Sequence, residues 1–88
     1  MTRPVRDHVP LPEGIESLAD VVALWPTAGA MADAIGLEDR ALPRVWKRRQ
    51  RIPNAWRDPV IKAAAALGVE ISHDQWSVLR ERGAYAGY

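Results

Sequence analysis

The stretch from Arg40 to Arg51 holds six cations (Arg40, Arg44, Lys47, Arg48, Arg49 and Arg51) and no acid. The stretch before it, Glu13 to Asp39, is its reverse, with six carboxylates (Glu13, Glu16, Asp20, Asp33, Glu38 and Asp39) and no base. Cationic side chains gathered without counter-charges do one kind of chemistry well, which is to grip a polyanion. Arg44 and Lys47 are three apart, so on a helix they share a face. An arginine on such a face can meet guanine O6 and N7 with two hydrogen bonds, each such pair giving about 1–3 kcal/mol of discrimination. The same cluster also fits a plain solvated helix, because a charge run is by itself weak evidence of a partner.

The rest of the chain offers no rival chemistry. There is no cysteine, hence no disulfide frame and no thiolate. His8 and His73 are the only histidines, far apart and not in a ligand-like spacing, so no metal is expected. No phosphate-cradling glycine loop, nucleophile elbow or metalloprotease motif is present. The expectation is a binding protein without a cofactor, not an enzyme. At 88 residues the chain makes one domain at most. A hydrophobic fraction of 48% argues for a folded chain, while the small core such a length allows makes self-association helpful. No apolar run approaches the ~20 residues that cross a bilayer. The first residues carry arginines and prolines rather than an apolar segment, so no secretory signal is expected.

Several helices are needed to present the cations. Residues 1–13 hold Pro4, Pro10 and Pro12 and read as a flexible arm, in which Arg3 and Arg6 could reach phosphate or a minor groove. Ile15, Leu18, Val22 and Trp25 recur at helical spacing and predict a first helix over 15–25, stopped by Pro26. A second helix over 28–35 follows, with Thr27 as its cap, Met31 and Ile35 inward, and Gly36 ending it in a left-handed turn above Leu37. The basic third helix starts near Pro43, which is best tolerated in a first turn, and runs to Arg49 or Gln50. Leu42 with Val45 or Trp46 anchors it, and Ile52-Pro53 closes it. A fourth helix lies within 55–67, with Asn54 or Asp58-Pro59 at its start, a stripe of Val60, Ala63, Ala64 and Leu67, and Gly68 as terminator. Ser72 and Gln75 form a capping box for a fifth helix over 73–82. Trp76 with Leu79 or Val78 is on its inner side, and Gly83 ends it.

With these elements in place, residues 15–71 resemble the compact helix-turn-helix regulators of phages and prophages, the Cro-like and YdaS-like transcription factors. The resemblance is carried by Met31-Ala32-Asp33-Ala34-Ile35-Gly36-Leu37, by Trp46-Lys47-Arg48-Arg49-Gln50-Arg51-Ile52-Pro53, and by Trp56 and the helix that follows it to Gly68-Val69. It implies an all-α fold, a small five-helix bundle of the lambda-repressor-like kind, with the third helix in the major groove and the second crossing the backbone. One departure stands out. The stretch between Gly36 and Trp46 is one residue longer than the family spacing. In one register Leu42 and Val45 are the buried pair and Trp46 is partly exposed. In the other the turn carries the extra residue and Trp46 is buried, which Pro43 near a helix start favours. A shift of one residue rotates each side chain by roughly 100°.

On this reading Arg40, Arg44 and Lys47 read bases, while Thr27, Arg48, Gln50, Arg51, Asn54 and Arg57 hold phosphates. Arg48 and Arg51, again three apart, form the clamp, and Thr27 with the first amides of the second helix forms a phosphate seat. Trp46 and Trp56 are core rather than stacking platforms. Residues 14–71 form the DNA-binding unit. Residues 72–88 either complete the core or, through Trp76, Leu79, Tyr85 and Tyr88, join two copies. The expected partner is double-stranded DNA, an operator with an inverted repeat bound by a homodimer. The expected role is a promoter-blocking repressor in the bacterial cytoplasm, at the nucleoid. The alternative is a protein-interaction module, antitoxin-like or anti-repressor, on the same fold.

Overall fold

Residues 10–86 are described in a computed structural model. Among them the secondary structure is helical throughout. There are five α-helices, α1 (Leu18–Val22), α2 (Ala28–Ile35), α3 (Leu42–Arg49), α4 (Arg57–Ala66) and α5 (His73–Ala86), and a 3₁₀ turn over Asn54–Trp56 precedes α4. The fold is a small all-α bundle. Arg3, Arg6 and His8 lie outside the described residues, as does Tyr88; the side chain of Tyr85 is outside them too.

The core assembles from the predicted stripes. Ile15, Leu18, Val22 and Trp25 are all buried, joined by Val21. The first helix is nevertheless shorter than its stripe. Ser17 caps it, its Oγ accepting from the Asp20 amide at 3.3 Å, and the Asp20 carboxylate in turn accepts from the Glu16 amide at 2.8 Å. This local bonding sets the start at Leu18 and leaves Ile15 outside the helix as a plug. At the other end the Leu24 and Trp25 amides bond only three residues back, to Val21 and Val22. The chain tightens there because the residue before Pro26 cannot continue a helix.

α2 has the expected bounds. Thr27 Oγ1 accepts from the Ala30 amide at 3.0 Å, and Gly36 adopts φ 78° at the C-cap, a conformation that only a residue without Cβ takes freely. Met31, Ala32 and Ile35 form its buried side. The turn that follows is organised by Asp39, whose carboxylate accepts from the Ala41 amide at 3.0 Å while its carbonyl accepts from Leu42. Pro43 sits at the start of α3, where its missing N–H would have had no partner.

The second half brings three corrections. Asp58-Pro59 does not cap α4; both residues lie inside its first turn, and the chain enters through the 3₁₀ turn at Asn54. Leu67 is not part of the buried stripe. It is 51% exposed, because it sits at the C-cap beyond the last helical residue, where the stripe no longer faces the core. Gly83 does not end α5, which continues to Ala86. Gly83 is instead buried where α5 crosses the end of α3, and a Cβ there would be driven into the Gln50 carbonyl.

The capping box at the start of α5 forms in both directions: the Ser72 amide donates to Gln75 Oε1 at 2.8 Å, and the Gln75 amide donates to Ser72 Oγ at 3.1 Å. Trp76 and Leu79 are fully buried and complete the core of a single chain, so neither is left to join two copies. The described end of the predicted arm is docked. Leu11 packs against the core, and the Pro10 carbonyl accepts from Gln75 Nε2 at 2.6 Å.

Candidate nucleic-acid interface

The basic helix α3 is anchored by burial of one side. Pro43 and Trp46 are buried, and Leu42 and Val45 are half-buried. Trp46, 4% exposed, packs against Trp56 with ring centroids 6.3 Å apart and planes tilted by 44°. Of the two registers, the one with Trp46 inside is the one adopted, and both tryptophans are used in packing, Trp56 in part.

This burial decides where the cations point. At about 100° per residue, Arg44 stands opposite the face formed by Leu42, Pro43, Val45 and Trp46, with Lys47 and Arg48 on either side of it. All three are exposed. None of their side chains, nor that of Arg49, makes a hydrogen bond or ion pair with another described residue. Arg49 falls on the inner side of the wheel and reaches solvent because the helix ends with it. Lys47, Arg48 and Arg49 also occupy the last turn, where positive charge is favoured by the helix dipole, so part of the cluster stabilises α3 itself.

The predicted Arg48–Arg51 face does not form. α3 stops at Arg49, and Gln50 turns left-handed at φ 55°, its amide bonded back to Lys47. Arg51 therefore lies in the following coil, where the three-residue spacing no longer places it beside Arg48; its Cγ lies near Gly83. Gln50 is half-buried, and its carbonyl abuts Gly83.

The remaining candidates have separate surroundings. Thr27 is exposed and its hydroxyl serves as the α2 cap. By helix geometry the Ala28 and Gly29 amides have no carbonyl one turn back. Arg40 does not extend from α3. It folds back onto α2, with Nη1 2.8 Å from Asp33 Oδ1 and its guanidinium over Gly29. Asn54 is exposed in the 3₁₀ turn. Arg57 is engaged within the chain, its Nε donating to Asp58 Oδ1 at 3.0 Å. The same carboxylate oxygen lies 3.3 Å from His73 Nε2, so Asp58 links the starts of α4 and α5. The hydrogen bond from Arg57, with the nearby positive charges of Arg57 and His73, holds the Asp58 carboxyl below its ordinary range.

Thus the structure brings Arg44, Lys47 and Arg48 together on one exposed side, and sets the Arg40 guanidinium against Gly29 in the first turn of α2, the helix that Thr27 caps. It leaves Arg57 committed elsewhere. Sequence reasoning missed Asp33 and Gly29 as neighbours of Arg40, and the spacing of seven between Asp33 and Arg40 spans a turn that no periodicity describes.

Among the described residues no group of three or more histidine or acidic side chains is placed to hold a metal ion, and no helix is long and apolar enough to cross a membrane. No protein-family model matches the chain, and no curated protein or solved structure matches it either.

Proposed function

We propose that this chain is a binding protein for double-stranded DNA, using α2, the turn after it and α3 as a helix-turn-helix. The observation that carries the reading is the placement of Arg44 directly opposite the buried side of α3, flanked by Lys47 and Arg48, with no carboxylate of the described chain pairing any of them. A short helix, about 12 Å over its eight residues, fits a major groove end to end. The first turn of such a helix addresses base edges, which gives Arg44 the reading role, with Lys47 beside it. Arg48, one turn on, together with Gln50, Arg51 and the Thr27 end of α2, addresses phosphates.

So small a footprint is best used in pairs. We extend the proposal to two copies on an inverted repeat, acting as a repressor that occludes a promoter, of the kind found in phages and prophages. Trp76 and Leu79 take no part in pairing, since each chain uses them in its own core.

The test is selection of duplexes from a randomised pool, followed by binding titrations of the selected and a scrambled duplex. Arg44→Ala is expected to lose about tenfold on the selected duplex and much less on the scrambled one, as loss of one bidentate base contact implies. Arg48→Ala is expected to weaken both alike. A chain that enriches no sequence, and whose Arg44→Ala variant binds both duplexes as the parent does, refutes the assignment.

A further inference from the structure

We propose that Gly29 and Asp33 are positioning residues that seat the Arg40 guanidinium on α2, where it clamps a DNA phosphate rather than reading a base. The inference rests on the DNA-binding reading above and deepens it.

Two contacts define the seat. Asp33 Oδ1 holds Nη1 at 2.8 Å. A Cβ built on Gly29 would stand 2.7 Å from Nη2, 3.2 Å from Nε and 3.3 Å from Cζ, so the guanidinium lies against bare helix backbone. Neither contact is explained by stability. The ion pair is exposed on both sides, 64% and 60%, and exposed pairs contribute little. Glycine in the second position of α2 is a poorer helix former than alanine. What the arrangement does achieve is to fix a long side chain in one place. Guanidinium carries five N–H donors, and the Asp33 contact uses one of them. A pre-placed planar fork loses less freedom when it meets a phosphate, whose oxygens it can hold in pairs.

The target follows from position. Arg40 precedes α3, and its guanidinium is drawn back over α2. In a helix-turn-helix the first of the two helices crosses the sugar-phosphate backbone. The nearest ligand for this guanidinium is therefore a phosphodiester oxygen, which carries no sequence information.

The experiment compares the parent with Gly29→Ala, Asp33→Asn, Arg40→Ala and the Gly29→Ala/Arg40→Ala double variant. Each is titrated with a selected and a scrambled DNA duplex across a salt series, and each is melted. Arg40→Ala is expected to bind both duplexes about tenfold more weakly, with the slope of log K against log salt shallower by about 0.9. Gly29→Ala is expected to weaken both duplexes several-fold in the same sequence-blind way while its melting temperature rises, because alanine favours the helix and the guanidinium is simply displaced. Added to Arg40→Ala, it should cost no further affinity. Asp33→Asn should follow Gly29→Ala in binding without the rise in melting. The proposal is overturned if Gly29→Ala binds as the parent does, if its loss persists in full without Arg40, or if Arg40→Ala changes which sequence is preferred. A parent that ignores DNA at low salt overturns this inference together with the DNA-binding reading; a parent that binds DNA with Gly29→Ala unchanged overturns this inference alone.

Discussion

Gly83→Ala is expected to destabilise the chain although it replaces glycine by alanine inside a helix. Two terms oppose one another. In the interior of α5 alanine is the better helix former by about 1 kcal/mol. Against this, the new methyl would be driven into the Gln50 carbonyl oxygen, with the carbonyl carbon 3.4 Å away and Arg51 Cγ 3.8 Å away. Overpacking of this kind costs about 1–3 kcal/mol. The upper half of that range applies because the obstacle is backbone, held by a non-glycine residue already at φ 55°, and cannot swing aside as a side chain can. The balance is a loss of about 1–2 kcal/mol, which for a domain of this size lowers the melting temperature by roughly 5–15 °C. Thermal unfolding followed by far-UV circular dichroism reads it directly. Gly29→Ala is the internal control: the same exchange, made where the neighbour is the displaceable side-chain end of Arg40 rather than backbone, should raise the melting temperature. A Gly83→Ala chain that melts at or above the parent would show that α5 does not cross the α3 terminus this closely.

Other expectations follow from the same contacts. Ser72→Ala breaks the reciprocal cap of α5 and should cost about 1 kcal/mol in urea unfolding, while an unchanged midpoint would mean that the cap is not formed. Deleting residues 72–88 removes Trp76 and Leu79 from the core and should leave a chain without a cooperative melting transition; a truncated chain that still melts sharply would assign α5 to pairing between copies instead. Asp58 titrates below its ordinary value of 3.8 in the folded chain, chiefly through the Arg57 hydrogen bond. Its contribution to stability is therefore fully present above that value and is lost as pH falls through the lowered one. Asp58→Asn should flatten this acid limb, and parallel stability–pH curves for the two proteins would remove the Arg57–Asp58–His73 link from the account.

Where the sequence was legible, the structure-determining chemistry was local. Thr27 and Gly36 bracket α2 because a hydroxyl cap and a left-handed turn each act within a few residues of themselves. The Ser72–Gln75 box is readable for the same reason. The apolar stripe before Pro26 identified its core residues but not its helix, since Ile15 and Trp25 are buried from coil and turn as well as they would be from helix. Gly83 was misread because glycine has two uses: it ends helices, and it also lets backbones meet, and only the position of α3 decides between them. Leu67 was misread because periodicity does not say where a helix leaves the core. In the candidate site, the outward stripe of Arg44, Lys47 and Arg48 followed once Trp46 was known to be inside. The Arg48–Arg51 pairing failed because Gln50 turns left-handed between them. The Asp33–Arg40 contact reaches across the turn between two helices, and such distance in sequence leaves no pattern.

The most direct test of the central claim is the salt dependence of duplex binding by the unmodified chain, measured by fluorescence anisotropy. If Arg40, Arg48 and Arg51 meet phosphates of the double helix, log K should fall linearly with log salt at a slope of about −3 per chain, and replacing Arg44, Lys47 and Arg48 together by alanine should make that slope shallower by about 0.9 and abolish the preference for the selected duplex. Binding that is absent at low salt, or a slope that survives the triple replacement intact, contradicts the claim that the exposed side of α3 is the DNA-binding surface.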